Sequence, residues 1–341
     1  MGSDSFSQNF SADALQSAID NKTKPPGSLG RIEDVALRIG KLQRTCTPQM
    51  NTCQLTIFAG DHGIVDSGVS AYPQEVTQQM VLNFLQGGAA ANVFAKTLGV
   101  EVQVVDAGIA GFELSHPDLE TRRIGPGTKN SAVEKAMSSD QFEKALEHGR
   151  ELGSTGDFDA MCFGEMGIGN TSAATLLCHK ILGLPLNMLT GRGTGLDDEG
   201  LRRKLSVLNA AATRTSDALA ADVAMTEYGG FEIAMITGAM MGAAANNTLV
   251  IVDGFIATAA AVAAIEIEPE VHRALVFAHC SAETGHRAVI ERLGVRPLLD
   301  LDMRLGEGTG ALLAWPLVKS AAAMLNEMAS FQSAGVSGPA C

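Results

Sequence analysis

The feature that most narrows the folds open to this chain is a repeated pairing: a short apolar run followed at once by glycine with an acid, hydroxyl or amide. Q-L-T-I-F at 54–58 runs into A-G-D-H-G, and V-E-V-Q-V-V at 100–105 into D-A-G. D-A-M-C-F at 159–163 precedes G-E-M-G-I-G-N-T, T-L-V-I-V at 248–252 precedes D-G-F, and A-L-V-F at 274–277 precedes A-H-C-S-A-E. Helix-period stretches such as E-V-T-Q-Q-M-V-L-N-F-L and A-A-A-N-V-F-A-K-T-L lie between them. Strands that are apolar on both faces and alternate with helices predict an α/β fold, a parallel sheet with helices on both faces. Ligands bind such sheets beyond the carboxyl ends of the strands, so these glycine-rich ends are expected to converge on one polar pocket.

The 341 residues are 46% hydrophobic, enough to fill a large core. Thirty-eight acidic against 25 basic residues give a net charge of −13, which argues against nucleic acid and anionic membranes as partners. The longest apolar stretch, residues 256–265, is too short to span a bilayer and is Ala-rich, as a closely packed buried helix would be. The opening M-G-S-D-S-F-S-Q-N-F shows no signal region, so a cytoplasmic protein is expected. Cysteines 46, 53, 162, 178, 280 and 341 show no C-x-x-C spacing and read as reduced thiols. Amphipathic helices are predicted at 12–20, 31–43 and 311–329, where the two chain ends could pack together as a helical subdomain. The chain closes on a ragged tail, S-A-G-V-S-G-P-A-C.

Four segments carry candidate chemistry. In G-E-M-G-I-G-N-T-S-A-A-T the glycines expose backbone N–H groups, Asn170 or Thr171 is placed to cap a helix, and the positive end of that helix suits a phosphate. Glu165 stands beside this anion site as an unexplained carboxylate. In G-R-G-T-G-L-D-D, residues 191–198, the aspartates suit a first helical turn and Lys204 lies about two turns further on, within reach of a phosphate. G-V-S-A-Y-P-Q-E-V-T-Q-Q-M brings Ser70, Tyr72, Gln78 and Met80 together, a set suited to a flat heteroaromatic ring. Finally R-L-G-E-G-T-G-A, residues 304–311, places Glu307 among three glycines, where Glu is a poor turn former and a poor cap but is open to a ligand. Asp61 and His62, or His279 and Glu283, invite a metal reading, but neither pair has the spacing that would gather several ligands, so no metal is expected.

Taken together, T-K-P-P-G-S-L-G-R at 23–31, A-G-D-H-G-I, G-V-S-A-Y-P-Q-E-V-T, G-E-M-G-I-G-N-T, G-R-G-T-G-L-D-D, D-G-F-I-A-T-A-A, S-A-E-T-G-H and R-L-G-E-G-T-G-A resemble the nicotinate-nucleotide:dimethylbenzimidazole phosphoribosyltransferase family nearly end to end. A-H-C-S at 278–281 stands where the family pattern reads S-H-R-S. The resemblance implies a Rossmann-like sheet in a large catalytic domain at 45–310, a small helical domain from 1–44 and 311–341, and a homodimer. It implies transfer of phosphoribose from nicotinate mononucleotide to a benzimidazole-type base, for the lower ligand of cobalamin, with no cofactor. Glu307 would be the base and Glu165 the second active-site carboxylate. Ser70, Tyr72, Gln78, Met80 and Leu305 would contact the ring, while Gly167, Gly169, Asn170, Thr171, Gly193, Lys204, Gly254 and Ser281 would hold phosphate and ribose. The alternative is a non-catalytic nucleotide-binding or sensor module, which leaves Glu307 without a role.

Overall fold

The computed structural model describes residues 10–193 and 195–337; the N-terminal stretch through Asn9, Thr194, and the last four residues, including Cys341, lie outside the described residues. Six strands, β1 (Cys53–Gly60), β2 (Glu101–Gly108), β3 (Leu119–Thr121), β4 (Ala160–Met166), β5 (Leu249–Val252) and β6 (Leu275–Phe277), form one sheet in the order β3-β2-β1-β4-β5-β6. Every pairing is parallel; Leu55 of β1, for example, lies opposite Val102 of β2 and Cys162 of β4. This is the doubly wound arrangement in which the strand order reverses between β1 and β4, leaving a crevice beyond their carboxyl ends. The edge strand β3 is short and was not legible in the apolar pattern of the sequence.

The helices are α1 (Ala12–Asp20), α2 (Arg31–Gln43), α3 (Glu75–Leu85), α4 (Ala90–Leu98), α5 (Ser139–Ser154), α6 (Asn170–Leu182), α7 (Leu186–Leu189), α8 (Asp198–Ala212), α9 (Ala221–Tyr228), α10 (Phe231–Ala245), α11 (Phe255–Ile267), α12 (His286–Leu293), α13 (Thr309–Glu327) and α14 (Phe331–Ala334). One group, α10 and α11 with α5 and α6, packs on the sheet, and a second group, α4 and α13 with α2, covers it elsewhere. The Ala-rich segment is α11, buried from Phe255 to Ala264; small side chains let α10 and the sheet approach it closely.

Three predicted helices emerge as α1, α2 and α13. The chain ends meet through backbone bonds, the Thr23 N–H to the Ala329 carbonyl at 3.0 Å and the Phe331 N–H to the Asn21 carbonyl at 3.1 Å. One apolar core nevertheless runs unbroken from Leu15 and Ile39 to the sheet. Cys53 and Cys162, on neighbouring strands, are free buried thiols 3.6 Å apart. Among the described residues, no helix is long and apolar enough to cross a membrane.

Candidate active site

A cavity of about 420 Å³ opens at the carboxyl ends of β4, β5 and β6. Its floor begins with the β4 segment Glu165–Met166 and continues into Gly167, Ile168, Asn170 and Thr171 at the start of α6. Gly169 has φ 99°, a left-handed turn that aims the first residues of α6 at the cavity. Gly167 is held tightly beneath: a Cβ there would sit 2.1 Å from the carbonyl oxygen of Gly60, so only glycine lets the loop lie down on β1. A neighbouring small crevice is lined by Ser70, Gly169 and Lys204. The buried ammonium of Lys204 donates to Thr171 Oγ1 at 2.9 Å and to the Gly191 carbonyl at 3.3 Å, and burial pushes its pKa down to about 8. A helix start beside an ammonium is an anion site.

The opposite wall is α3 and the segment before it, where Tyr72, Val76 and Met80 face the cavity, and Leu305 stands exposed at its mouth. Ser70 is turned inward on its own loop, its hydroxyl donating to the Tyr72 carbonyl at 2.9 Å. Gln78 does not line the cavity; it follows Thr77 on the helix, off the face that carries Val76 and Met80. Gly193, Gly254 and Ser281 all reach the cavity, in the company of Glu283 and His279.

Three carboxylates converge between these walls: Glu165, Asp253 and Glu307. Gly306, Glu307 and Gly308 take φ values of 86°, 62° and 82°, three successive left-handed residues. For glutamate this conformation costs energy, and the surroundings hold it in place. The turn lies against β4 so closely that a Cβ on Gly164 would meet the Glu307 carbonyl oxygen at 2.4 Å. Asp253 fixes its other side, accepting the Gly308 N–H at 3.2 Å and the Ala311 N–H at 2.9 Å. Asp253 thereby caps α13, whose own N-cap, Gly308, has no side chain to offer. Sequence reading passed over Asp253, because its partners lie 55 and 58 residues away and no local pattern announces them.

Burial raises the pKa of all three acids, strongly for Glu165. Repulsion from Asp253, Glu232 and Glu307 adds to the effect on Glu165, opposed by the amide of Asn170, which donates to Glu165 Oε2. Glu307 is held up by burial and by Asp253, opposed by the Ala91 N–H. For Asp253 the opposition comes from His279, whose Nε2 lies 3.9 Å from Oδ1, and from the turn's N–H groups. Burial in one cavity makes each of these acids costly to ionise, and a cation entering between them would offset part of that cost.

Of the residues that suggested a metal, Asp61 and His62 are otherwise engaged, while His279 and Glu283 both line the cavity. Asp61 accepts from Thr77 Oγ1 at 2.6 Å and from the Ala110 N–H at 2.8 Å, and His62 Nε2 lies 2.6 Å from Glu232 Oε1. Among the described residues, no group of three or more His, Cys, Asp or Glu is placed to hold an ion.

A doubly wound parallel sheet, with a glycine-rich helix start near a buried ammonium, an apolar wall opposite and buried acids between, defines an α/β protein with a ligand-sized cavity at the carboxyl ends of its strands. The chain belongs to the phosphoribosyltransferase family, whose model matches residues 6–336. It is 52% identical over 326 residues to nicotinate-nucleotide–dimethylbenzimidazole phosphoribosyltransferase of Cupriavidus necator, covering 95% of this chain and 94% of the relative. The enzyme of the same name from Photobacterium profundum is 45% identical over 332 residues, 95% of this chain and 96% of that one. The crystal structure of nicotinate-nucleotide–dimethylbenzimidazole phosphoribosyltransferase from Thermus thermophilus superposes with a TM-score of 0.91 at 43% identity, covering 96% of this chain and 98% of that one.

Proposed function

We propose that this protein moves the 5-phosphoribosyl group from nicotinate mononucleotide to 5,6-dimethylbenzimidazole, giving α-ribazole 5'-phosphate and nicotinate for the lower ligand of cobalamin. The observation that carries the reading is the polarity of the cavity: a helix start and an ammonium at one end, buried carboxyl groups in the middle, and an apolar wall beyond. Such a site suits a donor with a phosphate at one end and a cationic ring nitrogen on the sugar. The relatives named above supply the identity of donor and acceptor.

In this reading the phosphate sits among Gly167, Gly169, Asn170, Thr171, Gly193 and Lys204, with Gly254 and Ser281 beside the ribose. Tyr72, Met80 and Leu305 flank the incoming ring, with Ser70 and Gln78 behind them. The attacking nitrogen is neutral while its partner nitrogen still holds a proton, so the product is cationic unless a base takes that proton; Glu307 is that base. The leaving ring departs as a neutral nitrogen and needs no acid. Burial and the neighbouring carboxylates hold the pKa of Glu165 up, so a cationic donor would favour its ionised form, which steadies positive charge on the ribose. Attack from the face opposite the leaving group turns a β-nucleotide into an α-nucleotide.

We also read residues 1–44 with 311–341 as a small helical domain on a catalytic domain of 45–310, supported by the backbone bonds between the chain ends. The protein is further proposed to act in the cytoplasm as a homodimer. The decisive experiment incubates the protein with nicotinate mononucleotide and a panel of bases and identifies products by mass. Formation of α-ribazole 5'-phosphate with dimethylbenzimidazole supports the assignment. Binding of the mononucleotide with no product from any base would replace the transferase with a nucleotide-binding module.

A further inference from the structure

Thr77 has no solvent exposure and does not line the cavity, yet its hydroxyl is fully committed. It donates its single proton to Asp61 Oδ1 at 2.6 Å and accepts the N–H of Ile168 at 3.1 Å. Of those two partners only Ile168 lines the cavity; Asp61 is buried at the end of β1. Ile168 is the middle residue of the anion loop, flanked by Gly167 and Gly169, which have no side chains with which to hold it. Asp61 follows β1 and is itself fixed on three sides: its N–H donates to the Gly108 carbonyl at 3.0 Å, its carbonyl accepts from Thr128 at 2.9 Å, and Oδ2 accepts from Ala110 at 2.8 Å. Thr77 in turn sits on α3 between Val76 and Met80, which face the cavity one turn apart. The ring wall and the anion loop are therefore joined directly through the Thr77 hydroxyl, while a second bond, Gln74 Nε2 to the His62 carbonyl at 3.0 Å, ties the start of α3 to the segment after β1.

We propose that Thr77 is a positioning residue that locks the ring-contacting helix α3 to the anion loop and so sets the separation at which the two substrates are held. The proposal rests on the reading of the two walls given under Proposed function. The attacking nitrogen is placed by α3, and the phosphate, with the ribose behind it, by the loop. A displacement reaction is sensitive to the distance between them, because rate depends on the reacting atoms being held in line and close. In this protein that distance is bridged by Thr77 Oγ1.

Thr77→Val keeps the shape of the side chain and removes both bonds, leaving the Ile168 N–H without an acceptor. Thr77→Ser keeps the hydroxyl and removes only a methyl. The test measures KM for nicotinate mononucleotide and for dimethylbenzimidazole, kcat, and the melting temperature of the parent and both variants. The expected result for Thr77→Val is a KM for the mononucleotide raised about tenfold, a fall in kcat, and a KM for the base within about twofold of the parent. Thr77→Ser should restore both parameters, and Thr77→Ala stands in for the valine variant if the latter does not fold. A merely structural hydroxyl would lower the melting temperature while leaving the ratio of the two KM values unchanged; that result, or a serine variant that fails to rescue, overturns the proposal. A parent protein that neither binds nor converts the mononucleotide overturns the underlying transferase reading, and this proposal with it.

Discussion

Glu307 Oε2 accepts the backbone N–H of Ala91, 216 residues earlier, at 3.4 Å. Ala91 lies in the first turn of α4, whose N-cap is Ala89 and carries no capping side chain. The carboxylate thus lies at the positive end of a helix, where the ionised form is favoured, while burial and Asp253 favour the protonated form. The long hydrogen bond orients the group and leaves it able to take a proton. This second attachment means that replacing Glu307 tests two properties at once, and the choice of substitution separates them.

Glu307→Gln keeps an amide oxygen for the Ala91 N–H but cannot act as a base. Turnover should fall about 10²- to 10⁴-fold with the melting temperature nearly unchanged. Steady-state kinetics beside a thermal melt decide it, and turnover within a few-fold of the parent would remove Glu307 from the role of base.

The raised pKa values of Glu307 and Glu165 together set the acid limb of the pH profile. A base must be unprotonated, so kcat/KM should rise with pH through a midpoint above the ordinary glutamate value, and a limb at the ordinary value would contradict the assignment. On the alkaline side Lys204, with its pKa lowered to about 8, loses its charge. The KM for the mononucleotide should therefore climb above that pH. In Lys204→Ala it should start high and stay flat, while the unphosphorylated riboside shows no such difference.

Glu165 has a folded pKa raised well above its unfolded value. Its contribution to stability is full below the unfolded pKa of about 4.3 and is lost as pH rises through the folded pKa. Glu165→Gln cannot ionise, so its melting temperature relative to the parent should improve steadily from acid to alkaline pH while activity falls. A difference that stays constant across that range would show that the carboxyl does not titrate in a buried setting.

Asp253→Asn replaces one of two acceptor oxygens with a donor that faces a backbone N–H, of Gly308 or of Ala311. The loss should cost about 1–3 kcal/mol, a drop of several degrees in melting temperature for a chain of this size. Activity should fall further than stability, because the turn that holds Glu307 is released. Calorimetry with kinetics on the same samples checks both, and an unchanged melting temperature would mean Asp253 does not cap α13.

Dialysis against a chelator should leave activity intact, since the donor is activated by its own cationic ring and Asp61 and His62 are already bonded to Thr77, Ala110 and Glu232. Activity that vanishes and returns with a divalent ion would direct attention to His279 and Glu283, which both line the cavity.

Apolar runs and the glycines after them were enough to read the parallel sheet and to point to the 164–171 loop and Glu307, both of which line the cavity, because strand period and turn chemistry are local properties. Asp253 and Thr77 were not legible, since each acts on partners distant in sequence. Gln78 and Thr77 show the limit most simply: adjacent residues on α3 differ by about 100° around the helix axis, and only the packed helix decides which faces the ring wall's back. The resemblance implies Ser70 at the ring and Gly169 and Lys204 at the phosphate, whereas the structure puts all three in one crevice that adjoins the main cavity.

The turn at residues 306–308 docks on β4 through Gly164 and on the loop after β5 through Asp253, so it can settle only after both are in place. It is also the last piece of the cavity to leave the ribosome. The helix that follows it, α13, belongs to the same apolar core as the sheet, with Leu312, Trp315 and Val318 buried, so the turn that places Glu307 and the packing over the sheet form together. A protein clipped before residue 304 would lose part of its core along with Glu307, so truncation cannot separate the carboxylate from the fold.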